Sequence, residues 1–239
     1  MNLFPKRLST LFATLLMIVL LAACGGTETP AAAPTAAPAE SAAPAPAPAE
    51  AGMVNFQVVT AESSATYVVQ EEFLADALAK LGINAGKTEV RGVSQAVSGF
   101  IQLDVADPAN ALGANQFNVD MTVLQTDQSR RDNWIQTDGP RFGSFPVAQF
   151  VATSIVGAPE SYTDGQEVSF QLLGDLTVRE ISQPATFDVT ATLSDGTLRG
   201  TAIAALKMSD FGIDPPNFAN TLTVQDDFQV RLDLVATQE

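Results

Sequence analysis

Between Gln166 and Met208 apolar and polar residues alternate with a period of two, a pattern that few folds can accommodate. Val168, Phe170, Leu172, Leu176 and Val178 share one parity, interrupted at Gly174. After Ile181-Ser-Gln-Pro184, the residues Ala185, Phe187, Val189, Ala191 and Leu193 point one way, and Thr186, Asp188, Thr190 and Thr192 the other. Successive side chains on a strand alternate between faces, so each run is a strand with one dry and one wet face. Ser194-Asp-Gly-Thr197 marks a tight hairpin turn, because Gly196 can take the positive φ that such a turn needs. Leu198 to Met208 supplies the next strand. Helical spacing would scatter the same apolar residues around the axis, so the chain is all-β.

The same pattern recurs in shorter form. Val54–Val58 and Ala65–Val69 read as a first pair of strands. Phe73-Leu74, Ala77-Leu78 and Leu81 fall at helical spacing and stop at Gly82, which predicts a short helix or ordered loop. Lys87 to Asp104 alternates around Gly92 and Gly99, giving one or two strands with bulges. Phe117, Val119, Met121 and Val123 form another run, strand pattern resumes from Gln149 to Val156, and Phe228, Val230, Leu232 and Leu234 close the chain. Between Asp127 and Pro146 the alternation stops, and a turn-and-helix segment is expected. Roughly eight or nine antiparallel strands protect their edges by closing into a barrel or stacking as a sandwich, and a barrel is favoured here. A barrel of about eight strands is just wide enough to be filled by side chains or to hold one slender apolar ligand. The dry face carries Ala65, Gly99, Gly174, Ala185, Ala191, Ala202 and Ala204 among its larger residues, which leaves room along the axis. Phe and Leu from opposite strands are the competing way to fill it.

Ahead of this body lie two segments of different character. In residues 1–23, Lys6 and Arg7 precede an apolar run from Leu8 to Leu20, the order expected of a signal peptide. Leu21-Ala-Ala-Cys24 resembles the bacterial lipobox, which implies diacylglycerol attachment at Cys24 and a membrane anchor. Residues 24–52 are Ala/Pro-rich, with Ala-Pro-Ala-Pro-Ala-Pro across 43–48, and have too few large apolar side chains to bury a core. Such a disordered, extended linker could hold the domain of residues 53–239 up to roughly 80 Å from a bilayer. The reading places that domain outside the cytoplasm, on the outer side of the cell membrane.

Charge and composition exclude several functions. Without residues 1–23 the chain keeps 10 basic residues (12 minus 2) against 27 acidic ones, a net charge of −17 (10 minus 27). Nucleic-acid binding needs clustered Lys and Arg to replace phosphate counterions, so no such partner is expected. The chain has no histidine, which removes Ser-His-Asp catalysis and the commonest metal ligand. No cofactor or metal is nominated. Asp210-Phe-Gly212 matches the kinase triplet in letters only, since no glycine-rich loop or strand lysine accompanies it. The neighbouring acids Glu71-Glu72 and Asp226-Asp227 could suggest glycoside hydrolysis, but adjacent strand residues face opposite ways and acidic pairs are usually solvated.

Several segments resemble the YceI-like polyisoprenoid-binding family. Leu173-Gly-Asp-Leu-Thr-Val-Arg-Glu-Ile-Ser-Gln-Pro-Ala-Thr-Phe-Asp-Val189 is similar to its G-x-L-T-x-(basic)-G-x-(T/S)-x-P-x-x-F hairpin. Arg130-Arg-Asp-Asn-Trp-Ile135 with Phe145-Pro146 and Phe150 resembles its Arg-Asp segment, and Ser209-Asp-Phe-Gly-Ile213 its Asp-Phe-Gly turn. Arg91-Gly92 and Ser98-Gly99 fit its earlier strands. The resemblance runs from about Ala61 to Leu234 and departs at two places. Trp134-Ile135 stands where the family usually has His-Leu, and Glu180 where it has glycine.

The resemblance implies a lipocalin-like antiparallel barrel that binds a polyisoprenoid or similar amphiphilic lipid in its lumen, without catalysis. Phe117, Met121, Phe150, Phe170, Leu172 and Leu176 are then the candidate lining, with Phe187, Val189, Phe228 and Val230. Trp134, Phe142 and Phe145, in the one segment that leaves the strand pattern, are candidates for a mouth or lid. A phosphate head would call on Arg130, Arg131 and Arg141, with Arg91 and Arg179 as outliers. Arg131-Asp132 also reads as a structural ion pair or cap. The alternative function is a surface-anchored interaction module whose barrel is filled by its own side chains.

Overall fold

Side-chain parity organises most of the eleven strands found among the described residues, 52–73, 80, 86–218 and 222–239, of the computed structural model. The strands are β1 (Val54–Val58), β2 (Ser64–Phe73), β3 (Lys87–Ser94), β4 (Val97–Leu103), β5 (Leu112–Asp120) and β6 (Val147–Val156). They continue as β7 (Glu167–Val178), β8 (Ile181–Ser194), β9 (Thr197–Lys207), β10 (Asn217–Phe218) and β11 (Leu222–Gln238). One helix, α1 (Ser129–Thr137), occupies the segment where the alternation stops. The expected signal peptide, Cys24 and almost all of the expected linker lie outside the described residues. So does the expected helix after Phe73, apart from Lys80, and Phe73 itself ends β2 rather than starting a helix.

Every strand pairing is antiparallel. The order β1-β4-β5-β6-β7-β8-β9-β11 returns to β1 through a second pairing, β1 with β11, and so closes a ring of eight strands. β11 is long enough to serve two neighbours along one edge. Its Leu222–Asp233 portion pairs with β2, and its last residues pair with β1, as in Phe56↔Gln238 and Val58↔Ala236. β3 extends the sheet from β2, and Val93 bridges to Gln125 beyond β5. Closure leaves few free edges, which suits a chain with this many strands.

Local chemistry sets the boundaries that alternation alone misplaces. The run Phe117–Val123 is not one strand: β5 ends at Asp120, whose carboxylate accepts from the Thr122 N–H (2.8 Å) and hydroxyl (2.6 Å) and so turns the chain. Met121 therefore sits in a turn, and Val123 is exposed. β7 runs unbroken through Gly174. A Cβ there would lie 2.2 Å from the Val151 carbonyl and 2.8 Å from Phe150 Cζ, so glycine lets β6 and the Phe150 ring come close. The β6–β7 register shifts between Ala152 and Ser154, and this bulge turns Ile155 inward after Ala148, Phe150 and Ala152. The β8–β9 turn falls at Asp195–Gly196 as read, with φ of 49° and 71°. The β7–β8 turn is Arg179–Glu180, also positive at both positions (52° and 64°) but without glycine.

The core is the inward face of the ring. Phe56, Val97, Phe187 and Phe211 are almost fully buried, with the inward alanines Ala65, Ala185, Ala202 and Ala204 between them. Phe211 belongs to the Asp-Phe-Gly turn: a short 3₁₀ segment, Ser209–Phe211, drives its ring into the barrel, and Gly212 ends it at φ 63°. Asp226 holds that turn by accepting from the Ser209 N–H (2.9 Å) and hydroxyl (2.7 Å). These Ser209 bonds keep the Asp226 carboxyl below its ordinary range.

Candidate functional site

The bore is open in two places and pinched in between. At one end a narrow chamber of about 160 Å³ lies among Ile101, Leu103, Phe170, Leu172, Val189, Ala191, Leu193 and Leu198. At the other a wide chamber of about 760 Å³ lies among Val97, Val119, Leu176, Leu206, Phe211, Phe228 and Val230. Phe117, Phe150 and Phe187 line both, with Leu232 and Leu234 of β11, and the three rings are the bulk of the waist. Phe150 and Phe187 meet edge to face, with centroids 4.8 Å apart. Such a pair contributes roughly 0.5–1.5 kcal/mol beyond its area burial. Register puts Phe150 beside Phe117 on β5 and Leu176 on β7.

The wide chamber has a polar wall. On β2 the inward parity runs Ala65, Tyr67, Val69, Glu71 and Phe73, so a carboxylate and a phenol enter an otherwise oily surface. Arg131, on the first turns of α1, answers the carboxylate: its Nε lies 3.3 Å from Glu71 Oε1, and its Nη2 donates to Oε2 at 3.3 Å. Nη1 donates to Asp127 Oδ1 at 2.5 Å and to Thr126 Oγ1 at 3.3 Å. Burial opposes the arginine's charge, but the Asp127 hydrogen bond and the Glu71 and Asp127 charges outweigh it and raise its pKa. Burial pushes the Tyr67 phenol up to about 12; the Arg131 charge opposes this, and Glu71, Asp132 and Asp127 reinforce it. The Tyr67 ring packs closely against Gly92 of β3, where a Cβ would come within 2.1 Å of it.

α1 closes this end over the chamber. Ile135 and Phe142 are buried against it, and Trp134 lines it, covers Gly139 and meets Phe218 edge to face at 6.1 Å. Arg131 does not pair with Asp132. Instead Asp132 accepts from the Thr126 N–H (2.8 Å) and hydroxyl (2.6 Å), pinning the loop ahead of the helix.

The residues singled out from the sequence divide by position. Phe117, Phe150, Phe170, Leu172, Phe187 and Val189 border the narrow chamber. Met121, Trp134, Phe142, Leu176, Phe228 and Val230 border the wide one, as do Arg130 and Arg131. Four residues are elsewhere. Phe145 lies beneath the Arg179 guanidinium, 5.3 Å from ring to Cζ, and Arg179 donates to the Gly212 and Phe211 carbonyls, which ties the β7–β8 turn to the Asp-Phe-Gly turn. Arg91 is exposed and paired with Glu89 at 2.7 Å. Arg141 is exposed in a left-handed turn at φ 58°. Of the adjacent acids, Glu72 is exposed whereas Glu71 is buried, so the solvated pair read from the sequence is half wrong. Tyr67 and Glu71 are the functional candidates that reading missed. Extending the Ala65–Val69 alternation by two more residues would have put Glu71 inside. Among the described residues no acidic or thiol cluster is arranged to hold a metal.

A closed antiparallel ring with a ligand-sized apolar interior and a helix over one end is a lipocalin-like barrel. The chain belongs to the YceI-like family, whose domain model matches residues 56–236. It is similar in fold to Burkholderia cenocepacia BcnA at 20% identity and TM-score 0.54, over 75% of this chain and 99% of that one. A polyisoprenoid-binding domain from Saccharophagus degradans, implicated in plant cell wall breakdown, matches at 10% identity and TM-score 0.55, over 77% and 98%. A mutant Campylobacter jejuni YceI protein matches at 17% identity and TM-score 0.50, over 62% and 84%. No curated protein matches the chain.

Proposed function

We propose that this protein binds and carries a polyisoprenoid or a similar amphiphilic lipid in the barrel, without catalysis. The observation that carries this reading is the wide chamber. Its 760 Å³ falls within the range of about 300–1,000 Å³ typical of small-molecule sites, and its wall is apolar except at Tyr67, Glu71 and the base of α1. An aliphatic tail entering it gains roughly 25 cal/mol for each Å² of apolar surface removed from water. The name of the Saccharophagus neighbour, a polyisoprenoid-binding domain, supports the ligand class. A barrel plugged by its own side chains describes the waist but not the volume beside it. Chain chemistry supports a passive role, since there is no histidine and the one guanidinium deep in the wall is held by two carboxylates.

The Leu21-Ala-Ala-Cys24 motif supports an extracytoplasmic protein anchored by lipid at Cys24 and held off the membrane by its Ala/Pro segment. Native mass spectrometry of the freshly purified full chain is expected to show a co-purifying lipid and, after delipidation, saturable uptake of a fluorescent prenyl probe. A bare chain mass together with no saturable uptake would end the carrier reading. The anchor is tested separately: an N-terminal peptide bearing no diacylglycerol in membrane-extracted protein would rule it out.

A further inference from the structure

We infer that the wide chamber selects an amphiphile with an uncharged, hydrogen-bonding head, such as an alcohol, phenol, amide or quinone carbonyl, and rejects the same tail carrying a phosphate. Tyr67 makes the contact and Glu71 enforces the rejection. This rests on the carrier reading and specifies which member of the lipid class it takes.

Three observations carry it. First, both two-donor edges of the Arg131 guanidinium are engaged. Its Nε and Nη2 face Glu71, and its Nη1 faces Asp127 and Thr126, so the fork that would grip a phosphate is already filled. A phosphate could take that fork only by displacing Glu71, a buried carboxylate, and leaving it unpaired in an apolar wall. Second, the charges that face the spot are mostly negative. Glu71, Asp127 and Asp132 all act on Tyr67 against one cation, Arg131, and of the remaining charges at the rim Arg130, like Asp127, is exposed to solvent, where a single charge acts weakly. Arg91, Arg141 and Arg179 are outside the chamber lining. Third, the Tyr67 hydroxyl has no hydrogen-bond partner among the described residues, although its ring is fixed over Gly92 and it lines the cavity. A neutral phenol both donates and accepts, so it serves a hydroxyl, an amide or a carbonyl equally well.

The experiment uses the full chain at pH 7 with a bound fluorescent prenyl probe, displaced by farnesol or by farnesyl phosphate, which share one tail. Farnesol is expected to displace at a concentration at least about tenfold lower, reflecting the penalty for unpairing a buried charge. Glu71→Gln frees one side of the Arg131 fork and is expected to narrow that gap to less than about threefold, by improving the phosphate. Tyr67→Phe, which keeps the ring over Gly92, is expected to weaken farnesol by about three- to tenfold. It should leave a prenyl hydrocarbon without a head unchanged, so this arm reads the head contact even if Glu71→Gln fails to fold. Equal or tighter binding of the phosphate in the unaltered chain would overturn the inference, as would a folded Glu71→Gln variant with an unchanged gap or a Tyr67→Phe variant with unchanged farnesol affinity. Displacement by neither compound would instead overturn the carrier reading, and the head assignment with it.

Discussion

The two ends of the barrel each hold one of the protein's two tyrosines and use it in opposite ways. At the narrow end the Tyr162 hydroxyl donates to the Leu193 carbonyl and accepts from the Leu193 and Gly165 N–H groups, both at 3.1 Å. Its polar capacity is used up in tying the loop after β6 to the β8–β9 hairpin. At the wide end the Tyr67 hydroxyl has no hydrogen-bond partner among the described residues and sits beside a buried ion pair. The turns differ in the same sense. Asp195–Gly196 places residues suited to positive φ where the narrow end needs them, whereas Arg179–Glu180 holds two ordinary side chains in that conformation at the wide end. Left-handed backbone costs about 1–2 kcal/mol for a residue with a Cβ. The narrow end uses its tyrosine and its turn economically, while strained turn backbone and buried charge collect at the other.

The comparison breaks first at the waist. Phe187→Ala is expected to cost about 3–5 kcal/mol in denaturant unfolding and to join the two chambers, shifting the preferred tail to a longer one. A stability loss with no change in the preferred tail length would mean that the rings do not divide the bore. The next effect is in pH. A phenol with a folded pKa near 12 and an ordinary unfolded value near 10 keeps its proton longer in the native state, so Tyr67 stabilises the fold below pH 10 and loses that contribution as pH rises toward 12. Two pH units correspond to at most about 2–3 kcal/mol. Urea melts at pH 9 and 11.5 should show the loss, and Tyr67→Phe should remove that part of it.

The tyrosines can also be compared directly at pH 7. Tyr162→Phe strands the N–H groups of Leu193 and Gly165 and is expected to cost about 1–3 kcal/mol. Tyr67→Phe is expected to change stability by less than about 0.5 kcal/mol, because no bond is lost. Equal costs would erase the distinction between the ends. The smallest effect is in the turns: Glu180→Gly is expected to raise stability by about 1 kcal/mol, seen as a higher melting temperature, and Gly196→Ala to lower it by a similar amount.

Much of this fold was legible because a barrel wall repeats one simple rule. The alternation in β7, β8 and β9, the Asp195–Gly196 turn and the inward alanines need only side-chain parity to be read. The waist phenylalanines were on the candidate list for the same reason, although their clustering depends on register, which parity does not supply. Departures from the repeat were harder. The end of β5 depends on one Asp120 carboxylate, and the inward turn of Ile155 on a bulge that no single residue announces. Glu71 stayed hidden because a charge at an inward position looks like the end of a strand until its partner is known. That partner, Arg131, is 60 residues away. Arg179 misled in the other direction, since a basic residue in a recognised motif serves two backbone carbonyls and an aromatic ring.

The seam of the ring has a mechanical consequence. β1 has five residues and is held by three register pairs to the end of β11 and four to β4. Tension arriving along the polypeptide from its N-terminal side would enter the sheet through this shortest stave and peel it first. Val58 borders the narrow chamber, so such a load would breach that compartment first and leave the wide one, walled by β2, β3 and the helix, closed.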